Sequence, residues 1–309
     1  DEVLAAHALG KPVYLFTQSM GPFRRAESRV LMRRVVEASE GVFLRDERSR
    51  RNLLEVGVDE RKLGVHADAA FALAPSRPSG SEGAAATVTV GAAAAVTSGG
   101  ATTVRPCTAR IAVSVRAWKF AATMRAAGTP ESADDQADER YRRAVADAVR
   151  ALARSGAEVV FVSTCQGLPE FSDDSRLAQR IVDEHLAGEP NVRVDRSFRT
   201  PTQLIDQLAG FDVAIATRMH FAILALAAGT PVVAIAYEFK SRELLRGMGW
   251  EDRVTDYNDV SADWLVARAT QVLEAGAALR ADVARMVEVF RADAVRPAER
   301  IATEWRRRA

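Results

Sequence analysis

Val213-Ala214-Ile215-Ala216-Thr217-Arg218-Met219-His220, running on through Phe221-Ala222-Ile223-Leu224-Ala225-Leu226-Ala227 to Val232-Val233-Ala234-Ile235-Ala236, is the stretch that decides the fold. Four apolar residues, a short polar knot, a nearly unbroken apolar run and a second apolar segment after Gly229 spell strand, helix, strand. Strands apolar on both faces belong in a parallel sheet covered by helices on both sides. The same alternation extends outward. Towards the N-terminus, strands at 111–115, 158–163 and 191–194 alternate with helices at 139–154, 175–186 and 201–208, with a polar loop at about 117–136. Towards the C-terminus come a short helix at 241–248 and two closing helices, 262–274 and 279–305. Residues 13–66 repeat the pattern, with strands at 13–17, 42–44 and 63–66 and helices at 27–39 and 47–56.

Residues 76–109 break it. They are mostly Ala, Gly, Ser, Thr and Val, with too little apolar bulk to offset the entropy of ordering them. The expected organisation is therefore α/β: an N-terminal Rossmann-like domain at 1–75, a low-complexity linker or insertion at 76–109, and a second Rossmann-like domain at 110–309. Two such parallel-sheet domains would face each other across a cleft. Residues 1–9 read as the end of a helix, so the N-terminal domain is expected to be truncated.

Composition narrows the function. Forty-two Lys and Arg against 41 Asp and Glu give a formal charge of +1, so nothing marks a nucleic-acid binder. Two cysteines, Cys107 and Cys165, suit a reducing, cytoplasmic setting. No apolar run spans a bilayer. The terminal Arg306-Arg307-Arg308 could rest on an anionic membrane face, although a solvated helix end explains it as well. Oligomeric state is not readable. There is no Walker loop, no Gly-x-Gly-x-x-Gly after a strand, no zinc spacing and no Gly-x-Ser-x-Gly elbow.

In open α/β sheets, ligands lie beyond the carboxyl ends of the strands. The residues found there are rich in cations and hydroxyls: Ser19 and Gly21 after the first strand, Arg45-Asp46, His66 and Asp68, then Arg116, Cys165, Thr217 to His220, and Tyr237 to Ser241. Such a rim suits a small carboxylate or phosphate. Thr217 can cap a helix whose first turn holds Arg218, Met219 and His220, making an anion site with a guanidinium fork and a titrating imidazole. The same spacing also fits a capped helix with a surface Arg and a packed His. Lys240 before a helix begun by Ser241 suits a phosphate, and the same position equally fits a solvated loop lysine with no ligand. Arg45-Asp46 reads as an internal ion pair at a helix start, and Asp68 as a structural carboxylate. Cys165 has no arrangement that makes it a nucleophile.

Several of these stretches together resemble the polysaccharide pyruvyl transferase family, most closely its colanic-acid-type branch. They are Gln18-Ser19-Met20-Gly21-Pro22-Phe23, Leu44-Arg45-Asp46-Glu47-Arg48-Ser49, Ala67-Asp68-Ala69-Ala70-Phe71, Val115-Arg116, Val162-Ser163-Thr164-Cys165-Gln166-Gly167, Thr217-Arg218-Met219-His220 and Ala236-Tyr237-Glu238-Phe239-Lys240-Ser241. The resemblance implies a fold like the two-domain glycosyltransferase B type. It implies transfer of pyruvate from phosphoenolpyruvate to two hydroxyls of a sugar or lipid-linked oligosaccharide, forming a ketal, without metal or redox cofactor. It places Arg218, His220 and Arg116 around the donor. Thr217, Lys240, Ser241, Ser19, Gly21 and Glu238 are the substrate contacts expected with them. The family's opening half-domain has no counterpart in these residues. The competing expectations are a nucleotide-sugar glycosyltransferase of the same shape, with Glu238 or Glu243 on a ribose and Arg218 and Lys240 on a diphosphate, and a non-catalytic glycan- or anion-binding partner.

Overall fold

The computed structural model describes residues 2–74, 109–117, 131–167 and 173–308. Nearly all of the expected linker and most of the polar loop at 117–136 lie outside the described residues. The chain forms two parallel sheets. After α1 (Glu2–Ala8), the first sheet has the order β1-β2-β3, built from β1 (Tyr14–Gln18), β2 (Gly41–Leu44) and β3 (Leu63–Val65). Helices α2 (Ala26–Ala38) and α3 (Glu47–Leu54) connect these strands.

The second sheet contains β4 (Arg110–Ser114), β5 (Glu158–Val162), β6 (Val192–Asp195), β7 (Val213–Ala216), β8 (Val232–Ala236) and β9 (Val254–Asp256). Its order is β6-β5-β4-β7-β8-β9, all parallel. Chain direction across the sheet reverses between β4 and β7. That reversal opens a crevice at the carboxyl ends, where α/β sheets take ligands. Helices α4 (Glu131–Arg154), α5 (Asp174–His185), α6 (Pro201–Leu208), α7 (Met219–Ala227) and α8 (Phe239–Gly247) cover the sheet. Helix α7 is buried at every position but His220. It is enclosed by the sheet, α6 and the closing helix, which accounts for its unbroken apolar sequence.

The two expected closing helices form one run, α9 (Ala262–Arg308), interrupted at Gly276 by a left-handed φ of 48°. Glycine tolerates that geometry without a Cβ penalty. Beyond the break, α9 crosses to the first sheet. Phe290 stacks on Phe71 with centroids 5.1 Å apart. Asp293 accepts from the Ala67 amide at 2.7 Å and lies 3.1 Å from His66 Nδ1. Farther along, Tyr14 donates to Glu304 at 2.6 Å and Arg308 meets Glu40 at 2.9 Å. The helix of one lobe thus fixes the position of the other. Two details differ from expectation. Helix α4 begins eight residues before position 139, and β9 adds a sixth strand too short for its periodicity to register. Among the described residues, no helix is long and apolar enough to cross a membrane.

Candidate active site between the lobes

The crevice is stitched across its switch point by one hydroxyl. Ser114, the last residue of β4, accepts from the amides of Thr217 and Arg218 at 3.2 and 3.4 Å. This brings the ends of β4 and β7 together. Thr217 does not cap α7, as its position suggested, and it offers nothing to a ligand. It is fully buried, and its hydroxyl meets the Tyr141 hydroxyl at 2.8 Å. Helix α7 instead starts with Arg218 at its N-cap and no side-chain cap. Tyr141 accepts from the Arg116 amide at 3.3 Å and stacks on Tyr257, with centroids 4.1 Å apart. Burial pushes its phenol far above the ordinary value, so it stays protonated.

Arg218 is already held. Its Nε and Nη2 fork onto Asp174, the second bond being 2.8 Å. Burial opposes its charge, but the carboxylate outweighs this and raises the guanidinium pKa. That pair takes the side edge of the guanidinium, and both Nη1 N–H groups and the second Nη2 N–H lie outside it. Asp174 has 3% of its side chain exposed. Arg116 lies over the Tyr237 ring at 4.8 Å. Burial is the main cause raising the Tyr237 pKa, while Arg116 and Arg218 both pull it down. Arg116, Arg218, Asp174 and Tyr237 therefore share one electrostatic neighbourhood.

His220 points the other way along the cleft, towards the first lobe. Its Nε2 lies 3.9 Å from Asp68 Oδ2. Asp68 is held by Arg45 at 2.7 Å and caps the Ala70 amide at 2.9 Å. The expected Arg45-Asp46 pair is not formed. Arg45 reaches Asp68 instead, and its Nε donates to Ser19 Oγ at 2.7 Å. Ser19 in turn donates to Asp46 at 2.6 Å, while Asp46 caps α3 by accepting from the Ser49 amide. Asp46, Ser19, Arg45 and Asp68 thus form one chain leading to His220.

The His220 side chain keeps 58% of its surface. Protein atoms nevertheless wall the ring closely enough for lost solvation to lower its pKa below 6.5, helped by Arg45, Lys240 and Arg218 and opposed by Asp68. The neutral imidazole is the resting form at pH 7.

Lys240 sits in the first turn of α8, 2.9 Å from Glu238 at that helix's N-cap. Ser241, expected among the substrate contacts, is inside the helix and only 4% exposed, so it is not positioned to meet a ligand. Gly21 shapes the loop after β1. Its φ is +83°, and a Cβ there would come within 2.7 Å of Asn52. A cavity of about 270 Å³ opens between the lobes, with Arg45, Asp68, Lys240 and Met219 among its lining residues; His220 follows Met219 and lies 3.9 Å from Asp68 but is not itself part of the lining. Sequence reading missed Asp174 as the partner of Arg218 and Arg45 as the partner of Asp68.

Known proteins frame this geometry. The polysaccharide pyruvyl transferase profile matches residues 1–238. The amylovoran biosynthesis protein AmsJ of Erwinia amylovora is 26% identical over 288 residues. The match covers 93% of this chain, and the chain spans 64% of that relative's length. Among solved structures, the Neisseria meningitidis UDP-GlcNAc 2-epimerase bound to UDP-GlcNAc aligns with a TM-score of 0.58 and 12% identity over 97% of this chain and 72% of its own. Anabaena Alr3699/HepE in complex with UDP-glucose aligns with a TM-score of 0.57 and 12% identity over 98% and 74%. At such identities these neighbours speak to the fold alone, which is glycosyltransferase B-like. With its profile running from the first residue to the end of the β8 loop, the chain belongs to the polysaccharide pyruvyl transferase family.

Proposed function

We propose that the protein transfers a pyruvyl group from phosphoenolpyruvate to two hydroxyls of a sugar, forming a ketal, in exopolysaccharide or cell-surface glycan synthesis. One observation carries this reading. A neutral imidazole stands in the gap between lobes beside Asp68, within the fields of Arg45, Lys240 and Arg218. Cations from both lobes suit a small, highly charged donor such as a phosphorylated three-carbon acid. The transfer needs one proton delivered to the donor's methylene carbon and two removed from sugar hydroxyls. His220 takes the proton of the first attacking hydroxyl and returns it to the methylene. The second hydroxyl proton leaves with the displaced phosphate. Lys240 and Arg45 neutralise the departing phosphate's charge. Arg218, whose charge reaches His220, and Arg116, which shares the Tyr237 neighbourhood with it, are assigned to the donor carboxylate. Written this way, the reaction uses no metal or redox cofactor.

Two expectations follow. Phosphoenolpyruvate with a pool of bacterial glycans releases inorganic phosphate in proportion to acid-labile pyruvate bound to glycan. Donor binding without release from any glycan supports a binding partner instead. Second, Asp68→Asn shifts the acid limb of turnover to lower pH. The limb reports loss of the neutral imidazole below its depressed pKa. Asp68 raises that pKa against Arg45, Lys240 and Arg218, so removing it moves the limb further down. A limb that rises or stays put removes Asp68 from this role.

The nucleotide-sugar alternative loses its ribose partners. Glu238 is engaged by Lys240 at 2.9 Å, and Glu243, with 6% of its side chain exposed, by Arg246 at 2.6 Å. Stabilisation by uridine diphosphate that survives saturating phosphoenolpyruvate and depends on Glu238 or Glu243 would restore it.

A further inference from the structure

Among the described residues, Tyr141 is the largest side chain sealed inside the protein. It stands on α4 and reaches the carboxyl ends of three strands. Its hydroxyl accepts from the Arg116 amide at 3.3 Å, just beyond β4, and meets Thr217 Oγ1 at 2.8 Å, directly after β7. Its ring stacks on Tyr257, directly after β9, with centroids 4.1 Å apart. The Tyr257 hydroxyl donates to Asp138 at 2.8 Å. Asp138 lies one turn before Tyr141, so the same helix holds both members of the stack.

Packing alone does not call for the Tyr141 hydroxyl. A phenylalanine would fill the same space without the cost of burying a polar group. What the hydroxyl adds is direction. The ladder between β4 and β7 ends at Ser114 and Ala216, so Arg116 lies beyond the last paired residue. The bond from its amide to Tyr141 ties the chain there to Thr217, the neighbour of Arg218. From that point the Arg116 guanidinium extends over the Tyr237 ring at 4.8 Å. We propose that Tyr141 is a positioning residue of the donor site, fixing the backbone from which Arg116 reaches the donor carboxylate. The proposal rests on the phosphoenolpyruvate reading above. A guanidinium on a long side chain amplifies small rotations of its backbone, and a misplaced binding group loses its effect steeply with distance.

The test titrates phosphoenolpyruvate calorimetrically into the full chain and into Y141F, T217V and Y141F/T217V, with the melting temperature of each measured alongside. Y141F takes from the buried Thr217 hydroxyl its Tyr141 partner, and T217V does the reverse, so each single variant melts lower. The double variant replaces both hydroxyls by apolar groups of the same shape and recovers most of that loss. Donor affinity follows a different pattern. Y141F and the double variant both lack the bond to the Arg116 amide, and they bind phosphoenolpyruvate about fivefold or more weakly. T217V keeps that bond and binds it as the unaltered chain does. A double variant that regains affinity together with its melting temperature overturns the proposal, as does a T217V variant as weak as Y141F. Full affinity in Y141F, with binding seen in the unaltered chain, overturns the proposal alone. Phosphoenolpyruvate that fails to bind the unaltered chain removes the donor reading and the proposal with it.

Discussion

Replacing His220 with Gln lowers turnover roughly 10²-fold or more. The side chain is the only exposed position on an otherwise buried helix, and its ring nitrogen faces Asp68 across the gap between lobes at 3.9 Å. The fold gains nothing from a polar group there, because α7 packs through its apolar residues. Stability therefore changes little, and the melting temperature serves as the control. Gln keeps hydrogen-bonding capacity and approximate size but cannot carry a proton near neutral pH. The loss falls on kcat rather than on phosphoenolpyruvate affinity, because the donor's charge is met by Arg45 and Lys240. Turnover within threefold of the unaltered protein removes His220 from proton transfer.

Asp174→Ala destabilises the protein by about 3–5 kcal/mol, because the Arg218 guanidinium is left charged and largely buried without its partner. Arg218 retains 16% exposure, which favours the lower end of that range. For a fold of this size, a loss of about 3 kcal/mol lowers the melting temperature by roughly 6–12 °C. Asp174→Asn preserves the shape and loses the charge, so its smaller decrease separates the ionic contribution from packing. A melting temperature unchanged in the alanine variant contradicts a buried, structural pair. The functional consequence is specific. Arg218 is held in one direction by Asp174, which leaves the end edge of its guanidinium outside the pair.

Much of this arrangement was legible in sequence. The β7-α7-β8 unit declared itself because residues apolar on every side have only one place to go, between a sheet and other helices. Arg116, Arg218, His220 and Lys240 were visible because they directly follow strand ends, and a parallel sheet gathers those ends on one side. Other features depended on the relation between lobes. The Arg45-Asp68 grip, and the approach of Asp68 to His220 across some 150 residues of chain, follow from how α9 straps the first sheet to the second. No local pattern encodes that. Asp174 was hidden for a different reason. Two consecutive aspartates open α5, and either could have been its cap. Asp173 takes that role, accepting from the Ser175 amide at 3.0 Å, which frees Asp174 to turn inwards onto Arg218. Thr217 misled because a threonine before a helix usually caps it, whereas here Tyr141 from α4 claims the hydroxyl.

The donor site is assigned to the space shared by the lobes, and calorimetric titration of phosphoenolpyruvate into Arg45→Met and Lys240→Met tests this most directly. One residue belongs to each lobe, and both line the cavity between the lobes. Each substitution is predicted to weaken binding about tenfold or more, the effect of losing one charge-assisted contact. Undiminished affinity in either variant would contradict a donor site built from both lobes.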